Sequence, residues 1–398
     1  MSNLSRSDRS PNTPDGRAAL GRFQLSPDLI HLNHGSYGAV PKVVRDEQDR
    51  LRARIESDAT GFFRNELPGE LRRLAGVAAQ RFGGKSDDWV FCENATAAVN
   101  SVLSSFGLHA GDEIVTTSHA YGAVMKAMRI WASRFAAKVV VAQISVIVEN
   151  EEQIVQAIVK SFSDRTKLLV VDHITSATAM ILPVAQIVQA AHARGIAVLV
   201  DGAHVPGHLP LDVEAIGADW YTGNAHKWLF APKGCGLLWT APEHQAQTLP
   251  VVLSHGAPDG YTPAFDWIGT RDVTPWLCFE AAMRFHDSLG GESLMARNRK
   301  LAADASAQLA AELGMIVTAP VTMRGAMACL TLRPSPLDAS GAASLITAIR
   351  QCCGAVLPAY VFEDALCIRI SAQIYNEMAD YELLARAFPV AMQQMLLP

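Results

Sequence analysis

From about residue 88 onward, short apolar runs alternate with segments whose apolar positions recur every three to four residues. Trp89–Cys92, Glu113–Thr117, Lys138–Ile144, Leu168–Asp172 and Ile196–Asp201 read as strands. Between them Thr96–Ser105, Tyr121–Phe135, Gln153–Phe162 and Val184–Arg194 read as helices, the last following Pro183. Alternation of this kind predicts a parallel sheet covered by helices. Upstream, Pro41 opens a charged helix running to about Ser57, and Glu70–Phe82 forms another. After Trp276 the character changes. A helix over Leu277–Leu289 leads through Gly290-Gly291 into a second that ends near Leu313. Short strands (Ala326–Leu332, Ala365–Ser371) and helices (Asp338–Arg350, Met378–Met395) follow, which is an α+β pattern. The expected division is a mobile tail over 1–28, a large domain over 29–276 and a small C-terminal domain over 277–398. The first part of the large domain is free to pack with the small one.

At 398 residues the chain is long enough for two domains and a substantial core. A net charge of −5 without any basic stripe gives nucleic acid no footprint. No apolar run reaches membrane-spanning length and no signal-peptide pattern opens the chain. Seven cysteines lie scattered with no C-x-x-C pair, which fits a reducing cytoplasm. His204 and His208 have H-x-x-x-H spacing, but Pro206 and Gly207 between them oppose a helix that would align both rings. No metal site is expected.

The stretch from Ala197 to Gly236 carries the chemistry. Asp201 stands where the apolar run Ala197–Val200 ends, and a second strand pattern, Ala218–Thr222, runs into Asn224-Ala225-His226-Lys227. Adjacent parallel strands deliver their carboxyl ends to one crevice, so Asp201 and Lys227 can converge. A buried carboxylate beside a pyridine nitrogen keeps that nitrogen protonated and makes the ring an electron sink. An amine close to the same ring can form a Schiff base with an aldehyde. Together they are what pyridoxal 5'-phosphate (PLP) requires. Taken singly, the Asp is as easily a helix cap and the Lys a solvated surface residue.

Other segments supply further parts. Glu93-Asn94-Ala95-Thr96 sits where a strand turns into a helix, and the amides there with the Thr96 hydroxyl form a phosphate cradle. A plain cap by Asn94 or Thr96 explains the same residues. Asn224 and His226 are placed to add phosphate hydrogen bonds. Tyr121 can lie over the ring face, with His119 as the alternative. His204 reads as orienting Asp201, and His173 and Ser176 end the preceding strand. Arg369, flanked by apolar residues, is either paired internally with an acid or open to a substrate carboxylate. Asn33 and His34, in HLNHGSYG, either enter the substrate pocket or only form a tight turn.

The strings LNHGSYGAVP, ATAAVN, DGAHVPG, GTRDVTPWL and RISAQIYN together resemble class V aminotransferase-fold enzymes, in particular the isopenicillin N epimerase-like subgroup. The resemblance runs from about His31 to the C-terminus. It implies the type I PLP fold, with a mainly parallel seven-stranded sheet in the large domain and a smaller α+β domain. It implies PLP held by Ala95, Thr96, Tyr121, Ser176, Asp201, His204, Asn224, His226 and Lys227. Lys227, Asp201 and Tyr121 become the catalytic set, and Arg369, Asn33 and His34 bind an amino-acid-like substrate. Thr270, in Gly269-Thr270-Arg271-Asp272, is implied to reach the phosphate of a neighbouring copy, so that the active unit is a homodimer. The expected reaction is epimerisation or racemisation at an α-carbon. A C–S lyase, an aminotransferase and a non-catalytic PLP-fold protein are the alternatives. Epimerisation needs an acid on the second face, for which Tyr121, His34 and a water are candidates. Persulfide chemistry is not expected, because Cys352-Cys353 read as core cysteines at a helix end and LPAYVFEDA offers none.

Overall fold

The computed structural model describes residues 15–396. Seven strands make the central sheet: β1 (Trp89–Cys92), β2 (Glu113–Thr117), β3 (Lys138–Ala142), β4 (Thr166–Asp172), β5 (Ala197–Gly202), β6 (Trp220–Asn224) and β7 (Gly236–Thr240). Their spatial order is β1-β7-β6-β5-β4-β2-β3, with only β7 antiparallel to its neighbours. β1, β2, β6 and β7 are buried along their whole length, and β4 from Leu168 onward, which explains their near-continuous apolar runs. β7 was not legible as a strand. Its sequence, GLLWT, has no alternation because both faces are covered. Among the covering helices, Ala95–Ser105 is capped by Asn94, whose side chain accepts from the Ala97 amide at 2.9 Å.

A second sheet holds β8 (Ile316–Val317), β9 (Met327–Leu332), β10 (Ala359–Phe362) and β11 (Ala365–Ser371) in the antiparallel order β10-β11-β9-β8. The helices Glu292–Leu313, Ala339–Cys353 and Met378–Leu396 contribute to the same apolar cluster. Ile30–His31 pairs in parallel with Ala355–Val356, so the chain just before the Pro41 helix belongs with this smaller layer.

Three expectations change. Residues 1–14 of the expected tail lie outside the described residues, but 16–23 are packed: Gly16–Arg22 is a 3-10 helix, and Ala19 and Phe23 are buried in the main core. Apolar side chains outweigh the local polarity there. The Leu277–Leu289 helix is two, Thr274–Leu277 and Phe279–Ser288, broken at Cys278. Cys352 is exposed rather than in the core, although it does sit at the end of its helix.

Candidate active site

The carboxyl ends of β4, β5 and β6 and the N-terminus of the Ala95–Ser105 helix enclose a cavity of about 500 Å³. That size is ordinary for a small-molecule site. Ala95, Thr96, Tyr121, Ser176, Asp201, His204, Asn224, His226 and Lys227 all line it, so nine of the expected positions converge. Asn224 ends β6, and its Oδ1 accepts from the Ala95 amide at 2.8 Å, tying the helix start to the lysine loop. Lys227 follows on the loop between β6 and β7. Gly38 makes room for this loop, since a Cβ there would overlap the backbone oxygens of His226 and Lys227.

Burial pushes the Lys227 amine down to about 8, against the attraction of Asp201 and Asp172. Its Nζ lies 3.1 Å from His204 Nε2. Burial, reinforced by Lys227 and Arg369, holds His204 well below the usual histidine range, so its ring is neutral. The Trp228 indole N–H donates to His204 Nδ1 at 3.5 Å, so both ring nitrogens of His204 are engaged. His204 therefore serves the lysine. The expected contact to the aspartate is replaced by the Ala203 amide, which donates to Asp201 Oδ1 at 3.0 Å. Burial raises the Asp201 carboxyl and Lys227 opposes that rise. His226, held down to about 4 by burial, is also neutral.

Arg369 lies on β11 and lines a second cavity of about 290 Å³, which shares Ser36, Tyr121 and Ser176 with the first. The guanidinium is buried, yet its partners are neutral: the Ser176 carbonyl, Asn33 Oδ1 at 3.0 Å and Ser36 Oγ at 2.8 Å. Its Nε has no partner. Among the described residues no carboxylate pairs with it. The internal-ion-pair reading is thus set aside, and a buried cation with an orphaned N–H is built for an anion.

The remaining expected positions sit elsewhere. Asn33 orients Arg369 rather than entering the first cavity. His34 is buried behind the lysine, bonded to Tyr375 Oη at 2.8 Å and to the Lys227 carbonyl at 3.0 Å. Thr270 is exposed and lines neither cavity, and its neighbour Gly269 takes φ +113°. His119 is committed to Thr178 Oγ1 at 2.6 Å and the Ile144 carbonyl at 3.1 Å, and it lines the second cavity. His173 bonds Tyr221 Oη at 2.9 Å. Sequence reasoning missed Asp172, Ser36 and Lys233 in these walls. The signal for Asp172 was present, since it ends its apolar run as Asp201 does.

A buried carboxylate, a buried lysine with a lowered affinity for protons and a helix start inside one cavity fit PLP, and an α/β sheet of this order is its type I fold. The chain belongs to the class V aminotransferase family: the aminotransferase class-V model matches residues 73–384. Its cofactor is pyridoxal 5'-phosphate. It is 32% identical to isopenicillin N epimerase of Streptomyces clavuligerus, over 80% of this chain and 85% of that one. A putative L-cysteine desulfhydrase of Oryza sativa subsp. japonica is 29% identical, over 93% and 86%. Among solved structures, a lysine variant of C-DES with glycine covalently linked to its PLP cofactor superposes with a TM-score of 0.79. It is 21% identical and covers 94% of this chain and 99% of that one.

Proposed function

We propose that this enzyme is an epimerase or racemase of the isopenicillin N epimerase type, removing and returning the α-proton of an amino acid or amino-acid-like substrate. The observation that carries the reading is the pairing of Lys227 and Asp201 in one cavity with a buried, acid-free Arg369 at the end of the adjoining one. When bound, PLP supplies an aldehyde for amines and a ring that withdraws electrons from the α-carbon. The chain's residues do the rest. Asp201 holds negative charge where the ring nitrogen is bound. Thr96, Asn224 and His226 hold the phosphate at the helix start. Arg369 grips the substrate carboxylate and so fixes the α-carbon. Lys227, which burial frees of its proton above about 8 rather than in the ordinary lysine range, accepts the α-proton on one face.

The acid on the other face is narrowed by the geometry. His34 has both ring nitrogens engaged behind the lysine backbone, which leaves Tyr121, 46% exposed at the cavity wall, or a water. The likeness to isopenicillin N epimerases supports this reaction. The same reading makes the active unit a cytoplasmic homodimer in which Thr270 reaches the phosphate of the neighbouring copy. Residues 29–276 and 277–398 then act as large and small domains.

A C–S lyase is the second reading, favoured by the desulfhydrase relative. It needs no second acid. Persulfide storage has no support, because no cysteine lines either cavity. Turnover of candidate amino acids by the holoenzyme in deuterated water separates the readings. Deuterium at the α-carbon with loss of chirality is the expected result. Release of pyruvate and ammonia would replace the epimerase by the lyase.

A further inference from the structure

Three of the four groups on a substrate α-carbon have a place in the proposed function: the nitrogen at the cofactor, the proton at Lys227 and the carboxylate at Arg369. The side chain has none. Arg369 lines the second cavity and not the first, so a carboxylate on its fork stands at the opening between the two. Ser36, Tyr121 and Ser176, which both cavities share, frame that opening. With the cofactor in the first cavity, the second is the adjoining room for the fourth group. At about 290 Å³ it exceeds what a carboxylate alone needs, and it approaches the lower end, about 300 Å³, of sites for whole ligands.

Both layers of the molecule build this room. His119 and Ala120 follow β2, Ala177 follows β4, and Pro358, Tyr360 and Phe362 come from β10 and the residue before it. The Tyr360 hydroxyl donates to the Ala177 carbonyl and ties the layers together. The Phe362 ring lies against that of His119, with centroids 4.8 Å apart and planes at 46°. Besides Tyr121 and the Arg369 fork, every polar side chain of the wall is committed. Both His119 nitrogens are bonded, and burial holds the ring below the usual histidine range, hence neutral. Burial also keeps the Tyr360 hydroxyl protonated. Ser36 Oγ donates to Asn33 Oδ1 at 2.6 Å, and Ser176 is taken by Arg369. Apart from Arg369, no charged side chain lines the cavity. A charged side chain entering here would be desolvated without a partner, whereas an apolar one would meet rings and methyl groups.

We propose that the second cavity receives the side chain of the substrate, and that the substrate is an α-amino acid whose side chain is uncharged, apolar and at least three carbons long. This rests on the roles of Lys227 and Arg369 in the proposed function. A one-carbon side chain leaves the room unfilled and forgoes its contacts. Phe362, on the edge strand β10, is then a specificity-determining residue supplied by the smaller layer.

The test is a spectral titration of the holoenzyme's visible absorbance with L-alanine, L-norvaline, L-norleucine, L-phenylalanine, L-glutamate and L-lysine. Each titration yields a dissociation constant whatever reaction follows. Norvaline should bind at least about tenfold tighter than alanine, since each buried methylene is worth about fourfold. Glutamate and lysine should bind at least about tenfold more weakly than norleucine. Equal affinity for alanine and norvaline would overturn the proposal. Glutamate bound more tightly than norvaline would overturn it too, and would send the side chain toward Lys233 in the first cavity. Phe362→Lys places a cation in the wall, so the preference for norleucine over glutamate should shrink at least about tenfold. A preference unchanged from the wild type would contradict the assignment. Should Phe362→Lys not fold, Ala120→Leu decides: the narrower room should lower the ratio of phenylalanine to alanine affinity at least about tenfold, and an unaltered ratio counts against the pocket. If PLP gives the wild type no visible band, the proposal falls together with the Lys227 reading. A band that responds equally to alanine and norvaline removes the pocket alone.

Discussion

At the scale of single residues, the state of Lys227 is the most direct handle on the chemistry. Its amine is protonated below about 8 and free above, because burial lowers it from the ordinary lysine range. The rate at which apoenzyme attaches PLP should rise as pH passes through about 8 and then level off. A rate still climbing toward about 10.4, where an exposed lysine titrates, would contradict the burial argument. Lys227→Ala should lose the borohydride-sensitive yellow colour and lower kcat by at least about 10³-fold, as loss of a positioned base does. Arg369→Lys keeps the charge but loses the fork, so substrate affinity should fall about tenfold or more, read by spectral titration with amino acids. If Arg369→Lys binds as tightly as the wild type, the carboxylate sits elsewhere. Asp201, Lys227 and Arg369 were legible in the sequence because each is a charge set in apolar surroundings. His34 was left open between pocket and turn because HLNHGSYG does not show which side of the lysine loop the ring takes. His204 was assigned to the wrong partner, since three residues along a loop do not fix a direction.

Elements show where local pattern suffices. The helices came within a few residues of their observed ends in most cases: Val184–His192 on the large sheet and Ala339–Cys353 in the smaller layer start at Pro183 and Asp338, whose chemistry announces them. What pattern could not show was β7, the antiparallel return that closes the sheet between β1 and β6. Nothing in five buried residues distinguishes a strand running up from one running down. The turn at Gly38 illustrates a constraint that only tertiary packing reveals. It has φ +67°, and its missing Cβ is the space that the His226–Lys227 backbone occupies. Gly38→Ala should lower stability by about 1–3 kcal/mol and weaken cofactor retention in parallel, measured by thermal unfolding and by absorbance after dialysis. Full retention of both would show that the loop tolerates displacement.

For the molecule as a whole, the strongest consequence of the proposed assembly concerns exchange between copies. Lys227→Ala and Thr270→Asp should each be inactive alone, the second through repulsion of the phosphate. Co-expressed, they should regain activity, because one site of each mixed pair would contain neither change. Failure to regain any activity while mixed pairs are demonstrably present would remove Thr270 from the neighbour's site. Among the described residues no helix is long and apolar enough to cross a membrane. The layered architecture followed from the alternation of runs, but the docking of the chain's beginning did not. Residues 15–23 follow a polar stretch and carry three charges themselves, and only the assembled core shows that the Ala19 and Phe23 side chains matter.

Phe23 packs its ring against Phe230, Phe285 and Tyr375, with centroids 5.8, 5.9 and 5.3 Å away and the last two contacts edge-to-face. Phe230 lies three residues beyond Lys227, and Tyr375 holds the imidazole that braces the lysine carbonyl. The amino-terminal segment is thus a wedge driven beneath the platform that carries the reactive amine. A shortened polypeptide beginning at Leu29 would keep each group meant to touch coenzyme or substrate, yet lose its grip on the coenzyme as that platform sagged into the vacated space.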